Sequence, residues 1–273
     1  MIVFLEGGLG DQVARVAHAL IIQKTAGRTG PIRFWSIMTS QYNSSLPLQN
    51  QGIRSLNWGQ LGDTHRGLTG HNTPNTFVYR VLRWLTIRVI NILRQLFNRF
   101  DPHATMVSRL DVGQKLATPI ESLTREGLLE LGFPKVLEPS NRTADYLFLA
   151  EQAATKKILG VHIRLTDITG TSYHLSGDYY SDGVKECLAS EDYDDVWLFS
   201  DDPDTAISGL SHSTHVTNIS GQYSLSVSED LCLLSRCHSM VLSASHFSTM
   251  AYLLGDRQGK IIFPQTTKTT GRT

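Results

Sequence analysis

Short β-branched apolar runs alternate with stretches of helical spacing along most of the chain, and that rhythm predicts an α/β protein. Ile2 to Leu5 reads as a strand and Gly7-Gly8-Leu9-Gly10 as a tight turn. Val13, Val16, Ala17, Leu20 and Ile21 then recur at helical spacing until Gly27. After residue 140 the alternation becomes regular. A helix is expected over Thr143 to Lys157, and the apolar residues Ile158, Leu159, Val161 and Ile163 predict a buried strand. Asp178 is expected to cap a helix running through Cys187, with a strand over Val196 to Phe199. Glu229 to Cys237 is expected to form a helix with Ser228 as its cap. Met240 to Ser243, Phe247 to Leu254 and Ile261 to Phe263 complete the series as strand, helix and strand, and the tail from Thr266 is polar. Strands and helices trading places at this pace imply a parallel, doubly wound sheet.

The middle of the chain reads differently. Residues 28–75 are rich in Gly, Asn, Gln, Ser and Thr, so loops are expected there, with one or two strands or short helices among them. Phe77 to Phe100 interleaves Arg80, Arg83, Arg88, Arg94 and Arg99 with apolar residues and holds no acidic residue, which predicts a long basic amphipathic helix. Five arginines argue against a membrane span, since each costs about 2.5 to 3.5 kcal/mol at the bilayer centre. The helix either packs on its own domain or lies on an anionic membrane surface. Asp101-Pro102 ends it, and Ala117 to Leu131 suggests another helix, closed by Gly132-Phe133-Pro134. Pro139 to Asn141 is the expected boundary between an N-terminal α/β domain with a helical insertion, residues 1–140, and a C-terminal domain, residues 141–273.

Composition narrows the classes. A chain of 273 residues can bury a core without covalent staples. It carries 25 basic and 25 acidic residues, so the strong basic excess of a general nucleic-acid binder is missing. Cys187, Cys232 and Cys237 do not suggest a disulfide framework, and the strand-like Met-Ile-Val-Phe-Leu-Glu start does not read as a signal peptide. A cytoplasmic location is expected, possible membrane contact being at the inner face, and the sequons at Asn43, Asn141 and Asn218 then carry no meaning. His212 and His215 stand in a Ser/Thr-rich loop with no third ligand in sequence, and no metal site is expected.

The candidate chemistry gathers at strand ends. Arg164 and Asp167 follow the strand that contains His162, and in open α/β sheets ligands lie beyond the carboxyl ends of the strands. An arginine there suits phosphate, because its fork donates two parallel hydrogen bonds, although an arginine and an aspartate three apart also make an ordinary surface ion pair. Ser200-Asp201-Asp202 ends another strand. The carboxylates suit guanine N–H groups or ribose hydroxyls, and equally a solvated turn that caps a helix. Ser243, Ser245 and Ser248 could donate to phosphate at a helix start. The Gly7 to Gly10 turn either lets backbone approach an anionic ligand or simply packs.

Four stretches in this order carry a resemblance: Gly7-Gly8-Leu9-Gly10-Asp11-Gln12, His162-Ile163-Arg164-Leu165-Thr166-Asp167, Phe199-Ser200-Asp201-Asp202, and the run from Glu229-Asp230-Leu231 to Ser245-His246-Phe247-Ser248. Together they resemble the motif set of the bacterial α-1,2-fucosyltransferases, glycosyltransferase family 11. The resemblance covers the first 25 residues and nearly everything after Asn141. It implies two Rossmann-like domains in the glycosyltransferase B (GT-B) arrangement, acting on polysaccharide or other glycans as an inverting, metal-independent transferase. No cofactor is implied; the donor is GDP-fucose, and the acceptor is a glycan hydroxyl. It implies that Arg164 holds the diphosphate, that His162, Asp201 and Asp202 lie near the nucleoside, and that Ser245, Phe247 and Ser248 help hold the phosphates. Gly7, Gly8, Gly10 and Gln12 would face the donor from the other domain.

The chain also departs from that family. Leu165 stands where a second arginine is usual, Asp11 replaces an asparagine, Ala244 replaces the asparagine that opens the serine turn, and Thr249 and Met250 replace tryptophans. These departures leave open a transferase for another GDP-sugar, or a catalytically weak or inactive relative that binds nucleotide or membrane. For the displacement itself, Asp11 and Asp167 are the candidate general bases beside Arg164, and the favoured alternative for Asp167 is a structural one, holding Arg164 in place.

Overall fold

The computed structural model describes residues 2–5, 9–25, 33–36, 106–107, 124–130, 133, 138–139, 142–166, 174–210, 216–256 and 259–264. Phe77 to Phe100, Gly7, Gly8, Asp167, His212, His215, Asn43, Asn141 and the tail from Thr266 lie outside them. Chain contacts divide the protein into two compact units, residues 1–134 and 135–273.

In the first unit, β1 (Ile2–Leu5) leads into α1 (Leu9–Thr25), and β1 pairs in parallel with β2 (Arg33–Ser36) on one side and β3 (Met106–Val107) on the other. The helix starts at Leu9, earlier than the glycine pattern suggests, so Gly10, Asp11 and Gln12 stand in its first turn. Val13, Val16, Ala17 and Leu20 are buried at the spacing that predicted them, and so are Ala14 and Ala19, which makes α1 apolar around most of its girth. Of the helix expected over Ala117 to Leu131, the described part is α2 (Arg125–Glu130), with Leu128 buried.

The second unit is built on a five-stranded, all-parallel sheet. Its elements in order are α3 (Ala144–Thr155), β4 (Ile158–Ile163), α4 (Gly177–Ser190), β5 (Asp195–Ser200), α5 (Pro203–Leu210), β6 (Val216–Asn218), the single turn α6 (Ile219–Gln222), α7 (Val227–Arg236), β7 (Ser239–Val241), α8 (His246–Leu254) and β8 (Ile261–Ile262). The strand order is β6-β5-β4-β7-β8. Chain order therefore runs outwards from β4 in one direction, then returns and runs outwards in the other, and the reversal falls between β4 and β7. That gap is where doubly wound sheets bind ligands.

Both faces of β4 are covered, and all six of its residues are buried, His162 included. On one face Leu159, Val161 and Ile163 join Val196, Leu198 and Val241 beneath Tyr180, Val184 and Cys187 of α4 and Ala206 and Leu210 of α5. On the other, α7 comes so close at Gly160 that a Cβ there would meet Cys237 Sγ at 2.8 Å and Leu234 Cδ1 at 3.0 Å. All three cysteines are free and buried.

The caps correct the sequence reading in two places. The cap of α4 is Ser176, which accepts from Tyr179 N, while Asp178 sits in the first turn, where its charge suits the helix dipole. The cap of α7 is Ser226, not Ser228. Glu229 completes a capping box with it, and Ser228 is buried one residue inside the helix. The sequence reading took Ser228, but only the spacing Ser226-x-x-Glu229 satisfies both ends of the box. Asn218 is buried and caps α6, accepting from Gly221 N at 3.0 Å.

Glu229 also reaches across to a second helix. Its Oε1 accepts from Thr143 N at 2.7 Å, at the cap of α3, and its Oε2 accepts from Ser226 N at 2.7 Å. One buried carboxylate thus ties two helix starts together. Burial opposes its charge, but the hydrogen bonds from Ser226 and Thr143 prevail and hold its pKa below the ordinary carboxylate value.

Candidate functional site

His162 is the last residue but one of β4, and its side chain reaches the segment that follows β7. Its Nδ1 lies 2.8 Å from Ser243 Oγ and 2.6 Å from Ser248 Oγ, just beyond β7 and in the first turn of α8. The ring stacks on Phe247, with centroids 4.9 Å apart and planes at 27°. Ser245 caps α8 by accepting from Ser248 N, and its hydroxyl lies 2.9 Å from Ser243 Oγ and 3.2 Å from Ser248 Oγ. Ser243 and Ser248 are 2.8 Å apart. Ser243, Ser245 and Ser248 are all buried. The serines are therefore bonded to one another and to His162, so the hydroxyls that the sequence offered to phosphate also fix the histidine.

The tautomer sets the direction of these contacts: with the proton on Nδ1 the ring donates to the serine hydroxyls and Nε2 is the acceptor, and with the proton on Nε2 the ring accepts from a hydroxyl at Nδ1. Burial pulls the His162 pKa down to about 4; the Asp201 charge opposes this and the Arg164 charge adds to it. At neutral pH the imidazole is uncharged.

Arg164 is the first residue past β4 and is half-buried. The β4–β5 register pairs Ile163 with Ser200, so Arg164 and Asp201 are the facing residues just beyond the strands. The Asp201 carboxylate is turned onto the β4 side. Oδ1 accepts from Leu165 N at 2.8 Å, and Oδ2 accepts from Thr166 N at 3.1 Å and from the Thr166 hydroxyl at 2.5 Å. Asp202 caps α5, where its carboxylate accepts from Thr205 N at 3.3 Å. Of the two outcomes that the sequence allowed for this acidic pair, the helix-capping turn describes Asp202. Tyr180 of α4 is buried beside the Arg164 backbone, and burial keeps its hydroxyl protonated.

The β5 end is braced from behind. Ser200 N donates to Ser220 Oγ at 3.1 Å, and Ser220 Oγ donates to Asp230 Oδ2 at 3.4 Å, which links α7 to the strand end. Leu165 packs against the core beneath β4.

His162, Arg164, Asp201, Asp202, Ser245, Phe247 and Ser248 thus share one carboxyl edge in the second unit. Gly10, Asp11 and Gln12 belong to the first turn of α1 in the first unit, and Gly7, Gly8 and Asp167 are outside the described residues. Sequence reasoning did not find Thr166 and Ser220 as braces. A lone threonine and a lone serine carry no periodic signal, and only the strand register brings them to their partners. Among the described residues no cluster of His, Cys, Asp and Glu could hold a metal ion, and no helix is long and apolar enough to cross a membrane.

No protein-family model and no curated protein sequence matches the chain. Solved structures do. The fucosyltransferase NodZ from Bradyrhizobium is similar at 17% identity and a TM-score of 0.48, with 93% of each chain covered. A NodZ α-1,6-fucosyltransferase structure soaked with GDP-fucose gives 18% identity and 0.46, covering 93% of this chain and 92% of that one. POFUT1 in complex with GDP-fucose gives 12% and 0.44, covering 96% and 97%. At such identities and TM-scores the likeness assigns no activity to this chain.

Proposed function

We propose that the protein is a glycosyltransferase of the GT-B arrangement that takes fucose from GDP-fucose to a glycan hydroxyl, as an α-1,2-fucosyltransferase-like, inverting and metal-independent enzyme. The observation that carries this reading is the β4–β7 switch point, where Arg164 and a neutral, serine-held His162 stand side by side in the four-motif context. Arg164 supplies fixed positive charge for a diphosphate. In the tautomer that protonates Nδ1, Nε2 of His162 accepts from an N–H or O–H, which a guanine base or a sugar offers and a phosphate oxygen does not.

In this reading the acceptor oxygen bonds to the anomeric carbon from the face opposite GDP while the carbon–oxygen bond to GDP breaks. The acceptor's proton passes to a carboxylate, Asp11 or Asp167. Arg164 and the N-terminal dipole of α8 stabilise the charge that gathers on the departing diphosphate. Leu165, packed on the core in place of a second cation, keeps one further reading alive: a transferase for another GDP-sugar. The reading places the protein in the cytoplasm, with the arginine-rich Phe77 to Phe100 segment as a contact to the inner membrane face.

The test is calorimetric titration with GDP, UDP and ADP in metal-free buffer, then with GDP-sugars. GDP-selective binding that weakens about tenfold or more in Arg164→Ala is expected, since hydrogen bonds to charged groups contribute about 1.5 to 3 kcal/mol. The sugar that tightens binding names the donor. If none of the nucleotides binds, the proposal fails.

A further inference from the structure

Asp201 stands where the sequence reading puts a nucleoside contact, yet both of its oxygens are engaged within the fold. We propose that Asp201 is a positioning residue that clamps the turn carrying Arg164, its carboxylate acting as the built-in anion of a two-amide cradle. The clause that Arg164 then meets a diphosphate rests on the function proposed above; the clamp does not.

The geometry is that of a nest. Successive N–H groups, here of Leu165 and Thr166, converge on one anion, an arrangement that elsewhere binds phosphate or carboxylate ligands. Each carboxylate oxygen takes one of these amides, and the Thr166 hydroxyl adds a third donor. The carboxylate is itself on a fixed base. Ser200 N is held by Ser220, and Asp202 N donates to Ser200 Oγ at 3.1 Å, so the segment 200–202 cannot follow if the β4 turn drifts. Arg164 lies between the last β4 residue and the two clamped amides, and the clamp fixes its backbone from the downstream side. A long cationic side chain carries much rotamer freedom, and a fixed backbone is what limits where its fork can point.

A nucleoside contact and a clamp predict different losses. The test uses the ¹⁵N-labelled full chain as wild type, Asp201→Ala and Thr166→Val. It reads amide hydrogen exchange at Leu165 and Thr166, with Val161 as an internal reference, and the affinities for pyrophosphate and guanosine. For Asp201→Ala the clamp predicts exchange at both amides faster by about tenfold or more, pyrophosphate weaker by about tenfold and guanosine unchanged. Thr166→Val, which keeps the carboxylate and both amides, should show the same pattern at a smaller scale. Protection that survives in Asp201→Ala overturns the clamp. So does a loss of guanosine binding that matches the loss of pyrophosphate, which would make Asp201 a nucleoside contact. If the amides lose protection while the wild type binds neither probe, the clamp stands and the nucleotide reading falls.

Discussion

Replacing Glu229 by glutamine tests whether one carboxylate holds two helices. The carboxylate accepts from Thr143 N and Ser226 N, each at 2.7 Å, and from the Ser226 hydroxyl at 2.8 Å. Glutamine is nearly the same size but has only one acceptor oxygen, so one backbone N–H must face an NH₂ group. An orphaned buried donor costs about 1 to 3 kcal/mol, and the surviving bond loses its charge assistance. We expect a loss of about 2 to 4 kcal/mol. In thermal melts this shifts Tm by about 2 to 4 °C for each kcal/mol in a chain of this size class. Ser226→Ala removes a single cap and should cost only about 1 kcal/mol. The folded-state pKa of Glu229 is depressed, so its contribution is fully present above the unfolded value and fades as pH falls through the folded one. The stability gap between wild type and Glu229→Gln should therefore narrow below about pH 4. A Glu229→Gln loss no larger than that of Ser226→Ala, or a gap that stays constant into acid, would refute the double tie.

Two further outcomes follow from close packing and from the buried histidine. Gly160→Ala places a methyl 2.8 Å from Cys237 Sγ and should cost about 1 to 3 kcal/mol by chemical denaturation, with part of the loss recovered when Cys237→Ala is added; an unchanged midpoint would contradict the close approach of α7. The His162 ring should show no titration between pH 5.5 and 8 in a proton NMR series, and its ¹⁵N shifts identify the tautomer; a midpoint near 6.5 would contradict the site geometry. Because the folded His162 binds a proton only near pH 4 and the unfolded one near 6.5, stability should fall as pH drops through that window, and His162→Phe should lack this component.

The middle of the second sheet was legible in the sequence because its central strands are buried on both faces. Ile158, Leu159, Val161 and Ile163 mark β4 for that reason, and Ser200-Asp201-Asp202 breaks the next run where β5 ends. The short elements β6 and α6 were not legible: three strand residues and four helical ones carry too little periodicity to separate from the surrounding polar residues. The caps were half legible. A serine and a glutamate in the right region were visible, but the choice between Ser226 and Ser228 depends on where the chain actually bends. Thr143 could be read as the start of a helix, but not as a partner of Glu229, eighty-six positions away.

In the proposed function the motif is larger than its contact set. Asp201, Ser243, Ser245 and Ser248 spend polar atoms on holding His162 and the turn after Arg164, and the proposal gives the ligand contacts to Arg164 and His162. The division follows from the sheet. At the switch point β7 pairs with β4 only as far as Val161, while β5 pairs on to Ile163, so the segment after β7 and the start of α8 can fix the histidine while the end of β5 fixes the turn after it. A substitution at Asp201 or Ser248 should then act on the geometry of another side chain, whereas one at Arg164 removes a charge outright. The same logic sets the order of sensitivity: restoring a carboxylate of different length at 201 should recover part of what alanine loses, and lysine at 164 should not restore the two-pronged geometry of the arginine fork.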